Sequence, residues 1–128
     1  MKFIIMIDVV AAVIKKNNKY FIAQRNKQKH LGLHWEFPGG KVDKDENFEK
    51  ALKREIYEEL SINIKIINKI ASEKFQDYKI NVNVHYFLSE LIDNNIILTE
   101  HEDMKWVQKK DLIYFKLAPG DSKIIKYL

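Results

Sequence analysis

Three glutamates, Glu55, Glu58 and Glu59, stand three and four positions apart within GGKVDKDENFEKALKREIYEELSI, residues 39–62. In a helix, that spacing makes their carboxylates project from one patch about a turn long. Three anions so close raise one another's pKa unless a cation sits among them. Ile56 and Leu60 flank the patch on the helical wheel, which puts it at the rim of a core rather than in open water. Oxygen ligands without histidine or cysteine suit a hard divalent cation such as Mg²⁺, which keeps water positions for substrate phosphates. The competing reading is a solvated helix face laced with ion pairs, and charge alone leaves both open. Gly39 and Gly40 serve either as turn residues or as a point where a ligand approaches the backbone. His30, His34, His85 and His101 are scattered without ligand spacing and receive no role.

Periodicity supplies the elements that must carry this patch. Phe48, Ala51, Leu52, Ile56 and Leu60 recur at steps of three and four, an apolar stripe over residues 47–60 that packs a helix on a sheet, with Asn47 as its N-cap. Upstream, residues 4–14 form an apolar β-branched run. The turn KKNN (15–18) follows, then the alternating strand 19–25, which together predict a hairpin. A long connection ends at HWEFPGG (34–40), where Pro38 and the glycines interrupt regular structure. Segments 62–75 and 78–91 alternate as a second antiparallel pair turning at Gln76 and Asp77. Residues 104–108 make a last strand, and 119–128 a terminal helix capped by Asp121 or Ser122. Strands and helices mixed without strict alternation predict an α+β fold, a mixed sheet with helices packed against it.

The 128 residues suffice for one domain with its own core. Absence of cysteine excludes disulfides, thiolate metal sites and a cysteine nucleophile. The apolar stretch 1–14 is interrupted by Asp8, is too short to span a membrane and has no cleavage site. The expectation is therefore a cytoplasmic protein without membrane contact. The net charge of +4 is spread along the chain. With no basic stripe interleaved with aromatics, a nucleic-acid polymer is not the expected partner.

Spacing decides between the two readings of the acidic helix. From Gly40, five residues lead to Glu46 and seven more to Arg54 and Glu55. Ile56, one free position, Glu58 and Glu59 complete the run. This resembles the Nudix box, here residues 40–62, with Ser61 where the family has glycine. That glycine lies at a helix end, where a left-handed C-cap residue is favoured. The stretches FIAQR, WEFPGGKV, EHEDMKWV and APGDSKII are similar to the MutT branch, so the resemblance covers nearly the whole chain, 1–128. It implies a single-domain α/β/α sandwich around a mixed sheet. It further implies an enzyme that hydrolyses nucleoside triphosphates to a monophosphate and pyrophosphate.

Carried onto matching positions, the resemblance gives Glu55, Glu58, Glu59, the carbonyl of Gly40 and Glu100 to the metal, Mg²⁺ or Mn²⁺. Catalytic roles fall to Glu55, Glu58 and Glu100, with Arg54 organising loop and helix through Glu46 or a helix carboxylate. Arg25, Glu36, Phe37, Gly39, Lys41 and Asp121 face the nucleotide. Trp35 and Phe37 are equally read as core anchors, and Asp121 as a helix cap or a base-reading group. The leading substrate is 8-oxo-dGTP, ahead of CTP or dCTP and then ADP-ribose. A non-catalytic nucleotide-binding domain is the rival, although such domains typically lose box carboxylates and this chain keeps them. The oligomer is a monomer or a homodimer.

Overall fold

The computed structural model describes residues 4–128; Met1, Lys2 and Phe3, the start of the apolar stretch, lie outside the described residues. Seven strands, β1 (Ile7–Lys16), β2 (Lys19–Gln24), β3 (Trp35–Glu36), β4 (Gly39–Lys41), β5 (Ile64–Gln76), β6 (Asn81–Leu91) and β7 (Asp103–Val107), form one mixed sheet. Its main path runs β3-β2-β1-β6-β5, with β4 paired to β1 and β7 to β2. Helix α1 (Phe48–Leu60) covers one face; a 3₁₀ turn (Lys109–Tyr114), helix α2 (Pro119–Lys123) and a last 3₁₀ turn (Ile125–Tyr127) cover the other.

The central strand explains the layering. On β1, Val10, Ala12 and Ile14 pack with Phe21 and with Ala51, Leu52, Ile56 and Leu60 of α1. The alternate residues Ala11 and Val13 pack with Ile22, Tyr86, Leu112, Leu117 and Ile124. A strand buried on both faces reads as a continuous apolar run, and β1 does. Its pairing is divided: Val9, Val10 and Ala11 face Lys41, Gly40 and Gly39 of β4, whereas Lys15 and Lys16 face Tyr20 and Lys19 of β2. On the other side β1 runs parallel to β6, from Ile7↔Val82 to Ile14↔Ser89.

Several boundaries differ from the sequence expectation. Strand β1 starts at Ile7 rather than residue 4, and its hairpin turns on Asn17 and Asn18, both with positive φ (50° and 62°). Asn tolerates this conformation, which matches the twist of the flanking strands. The interruption at Pro38 separates two short strands, β3 on β2 and β4 on β1, and the Pro38 carbonyl accepts from Ala12 N at 2.8 Å. Residues 78–80 belong to the β5–β6 turn, where Asp77 Oδ1 accepts from the backbone of Lys79 and Ile80. The terminal helix is shorter than expected and is capped by neither Asp121 nor Ser122. Ala118 holds the N-cap position without a side-chain bond, Pro119 begins the helix, and Asp121 sits inside it, buried. Asn47 caps α1 as expected, accepting from Lys50 N at 2.8 Å.

Candidate active site

The site grows from the β4–α1 connection. Gly39 lies so close to β1 that a Cβ there would stand 1.8 Å from the Val10 carbonyl oxygen. At Gly40 the neighbour is instead the Glu55 carboxylate, whose Oε2 would be 2.4 Å from such a Cβ. The missing side chain lets Glu55 rest on the backbone. Glu46 closes the loop by accepting from Asp43 N at 3.1 Å, and Arg54 then ties loop to helix. Arg54 Nε and Nη2 donate to the two oxygens of Glu46, both at 2.9 Å; Nη2 also reaches the Lys41 carbonyl at 3.0 Å. Nη1 donates to Glu55 Oε1 at 2.9 Å and reaches Glu58 at 3.3 Å. These bonds hold the Glu46 carboxyl well below the usual carboxylate range, at about 2.

Around the helix the three glutamates differ sharply in exposure. The Glu58 side chain is 54 % exposed and that of Glu55 16 %. Glu59 is buried, and its Oε2 has no hydrogen-bond partner among the described residues. Burial, followed by the charges of Glu36, Glu55 and Glu100, pushes the Glu59 carboxyl up to about 9. Burial also raises Glu55, against the pull of Arg54. Among the described residues no three acidic or imidazole side chains already stand in a ready coordination cluster. The reason is visible at Arg54, whose Nη1 takes oxygens of Glu55 and Glu58.

The donor set nevertheless fits a divalent cation. It is all oxygen, it contains a buried carboxylate oxygen with nothing to bond, and Gly40 leaves the backbone open beside Glu55. Glu55, Glu58, Glu59 and the Gly40 carbonyl would hold such an ion.

Glu100 reaches this patch through the end of α1. Thr99 N donates to the Glu59 carbonyl at 3.0 Å, and Thr99 Oγ1 to the Glu58 carbonyl at 2.7 Å, satisfying carbonyls that a helix terminus leaves free. The following Glu100 is half-exposed and pairs with Lys29 Nζ at 3.2 Å. Glu36 lies between the acidic patch and α2. Its Oε1 accepts from Arg25 Nη1 at 2.8 Å and its Oε2 pairs with His101 Nε2 at 2.9 Å. Burial works against ionisation of Glu36, but His101 and Arg25 outweigh it and its pKa is lowered.

Phe37 and Asp121, both expected at the nucleotide, are buried. The Phe37 ring is buried in the second core, edge-on to Tyr86, and Trp35 packs edge-on to Phe115. Both are anchors in this state, because the sheet face beneath them is covered by the C-terminal segment. Asp121 is likewise buried: Oδ2 accepts from Phe37 N at 2.9 Å and Oδ1 from the Tyr86 hydroxyl at 2.5 Å. Burial pushes its carboxyl up to about 7. Lys41 is exposed and offers its carbonyl to Arg54. Sequence reasoning missed Thr99, Lys29 and His101. Only the adjacency of Thr99 and His101 to Glu100 hinted at two of them. A hollow of about 570 Å³ lined by Glu46, Asn47, Phe48, Glu49 and Phe87 opens at the start of α1.

A mixed sheet between two helical layers, with a glycine loop feeding a carboxylate helix, defines a class of phosphoanhydride hydrolases. The family model of the NUDIX domain matches residues 6–128, and the chain belongs to that family. It is 32 % identical over 121 residues to the CTP pyrophosphohydrolase of Escherichia coli, spanning 94 % of this chain and 90 % of that protein. It is 35 % identical over 118 residues to the 8-oxo-dGTP diphosphatase of Buchnera aphidicola, spanning 92 % and 89 %. The crystal structure of a MutT Nudix hydrolase from Burkholderia pseudomallei superposes with a TM-score of 0.88 at 23 % identity, covering 96 % of this chain and 98 % of that one. Within the family the chain is a MutT-like hydrolase acting on phosphoric anhydride bonds of nucleotides. Nudix hydrolases use divalent cations, and the oxygen-rich patch accords with that. Among the described residues no helix is long and apolar enough to cross a membrane.

Proposed function

We propose that the chain hydrolyses free nucleoside triphosphates to the monophosphate and pyrophosphate with Mg²⁺, Mn²⁺ substituting, and that 8-oxo-dGTP is its leading substrate. The observation that carries the reading is the unpartnered, buried Oε2 of Glu59 beside the Glu55 carboxylate on Gly40. A buried carboxyl oxygen without a partner costs stability, which a bound cation would recover. Held there, a divalent ion would neutralise phosphate charge and supply hydroxide near neutral pH.

The chain's own residues divide the remaining work. Arg54 fixes Glu55 and the Asp43–Glu46 turn in register, so the carboxylates need little reorganisation. Glu58, the most exposed of the three, would orient the attacking water. Arg25 keeps Nη2 without a protein acceptor among the described residues and offers it to phosphate.

Base choice centres on Asp121, whose oxygens bond Tyr86 and the Phe37 amide. A carboxyl pushed up to about 7 can accept or donate near neutrality, which suits an oxidised purine with altered N–H pattern. A second reading, CTP or dCTP, is favoured by the 32 % identity to the E. coli CTP pyrophosphohydrolase. A panel of NTPs, oxidised dNTPs and ADP-ribose with Mg²⁺, scoring pyrophosphate and phosphate separately, tests both. The expected result is pyrophosphate release that stops with EDTA and falls by about 10²-fold or more in Glu58→Gln, since a lost ligand leaves phosphate charge uncompensated. Full activity in that variant removes Glu58 from the chemistry. Absence of pyrophosphate release from every triphosphate overturns the reaction.

A further inference from the structure

His101 is nearly closed to solvent, its side chain only 5 % exposed, yet no box spacing accounts for it. Nε2 lies 2.9 Å from Glu36 Oε2, and Nδ1 has no partner among the described residues. Glu36 is held ionised by His101 and Arg25 and can only accept, so Nε2 carries the proton and the tautomer is fixed. The other oxygen of Glu36 takes Arg25 Nη1 at 2.8 Å, and Arg25 Nε donates to the His30 carbonyl at 3.0 Å. Two of the three guanidinium nitrogens are therefore engaged, and Nη2 remains.

The segment bearing His101 is fastened on both sides. Thr99 bonds the C-terminal carbonyls of α1, and Glu102 N donates to the Gln24 carbonyl at 2.9 Å, next to Arg25 itself. His101 thus spans the gap between the carboxylate helix and the end of β2, which Arg25 follows. A carboxylate gripped at one oxygen turns about its terminal torsion, which is broad, whereas one gripped at both keeps its plane.

We infer that His101 is a positioning residue for substrate binding: by holding Oε2 of Glu36 it fixes the carboxylate plane, and Glu36 in turn aims Arg25 Nη2 at the nucleotide's phosphates. This rests on the phosphate-binding role proposed for Arg25, and it adds a residue to which no spacing or motif points. The Lys29–Glu100 pair on the same rim is half-exposed at both ends and carries less, because such pairs contribute little in water.

The test is steady-state kinetics on the fastest substrate of the panel, triphosphate or ADP-ribose. Failure of the substrate reading then appears as the choice of substrate, separately from any effect of His101. His101→Leu is expected to raise KM by about 10-fold while kcat changes less than about 3-fold, the scale of losing an orienting outer partner. His101→Gln carries an amide N–H that reaches the same oxygen and is expected to restore KM, whereas His101→Asn, one methylene shorter, is not. In an Arg25→Ala background, His101→Leu is expected to change KM no further. Equal KM values for His101→Gln and His101→Asn, or independent additive losses with Arg25→Ala, overturn the inference. The polar pair keeps the test decisive even where the leucine variant fails to fold.

Discussion

Arg54 grips Glu46 with two parallel hydrogen bonds, Nε to Oε2 and Nη2 to Oε1, both 2.9 Å, across eight residues of loop and helix. The planar fork of the guanidinium matches a carboxylate in a way an ammonium cannot. It finds further acceptors on Glu55, Glu58 and Lys41. Arg54→Lys keeps the charge and loses the fork. Its activity is expected to fall by about 10–100-fold, the usual loss when a partner orienting metal ligands is removed. Its stability should fall by about 2 kcal/mol, the scale of a hydrogen bond to a charged group. Initial rates and chemical denaturation check both, and an unaltered rate would remove Arg54 from the organisation of the site.

The two glycines separate fold from chemistry. A Cβ at Gly39 meets the Val10 carbonyl at 1.8 Å, a backbone atom that cannot step aside. A Cβ at Gly40 meets the end of the Glu55 side chain at 2.4 Å, which can move. Gly39→Ala is therefore expected to lose about 3 kcal/mol or more of stability through overpacking. Gly40→Ala should keep its fold and lose activity, because Glu55 is displaced from the backbone. Circular dichroism melts beside pyrophosphate release distinguish the two, and a stable, fully active Gly40→Ala would contradict the placement of Glu55.

Glu59 makes stability depend on pH in a predictable direction. Its folded-state pKa is raised from 4.5 to about 9, so between those values the folded state binds more protons than the unfolded state. Stability of the metal-free protein accordingly falls as pH rises through that window. Asp121, raised from 3.8 to about 7, adds a fall of the same sign between its own two values. Glu46, lowered to about 2, contributes stability that is present above pH 4.5 and disappears only in strong acid. Melting temperatures in EDTA should decline from pH 5 to 8. Glu59→Gln, which cannot ionise, should flatten that decline. Mg²⁺ should stabilise the parent protein and not the variant. A pH-independent melt would show that Glu59 is not strained.

Ser61 ends α1 in the left-handed region, φ 58° and ψ 33°, with its N–H bonded to the Tyr57 carbonyl at 2.9 Å. This is the conformation glycine adopts without steric cost. Ser61→Gly is expected to stabilise the protein by about 1 kcal/mol and leave KM unchanged, since the cap holds no site carboxylate. A lower melting temperature for the variant would count against strain at this cap.

The sequence by itself determined the helix, its Asn47 cap and the side-by-side placement of Glu55, Glu58 and Glu59, because these depend on local periodicity and on spacing within one element. The same holds for the burial of β1, written in its apolar run, whereas for Arg54 the sequence left Glu46 and a helix carboxylate both open and the structure engages both. Tertiary structure alone decided which carboxylate is buried, since the exposure of Glu59 depends on the segment that Thr99 fastens over the end of α1. It alone brought His101 to Glu36 across 65 residues and turned Asp121 inward to Tyr86 and the Phe37 amide. Such partners come from elements distant in the chain, and a hydrogen bond between them leaves no periodic trace in either one.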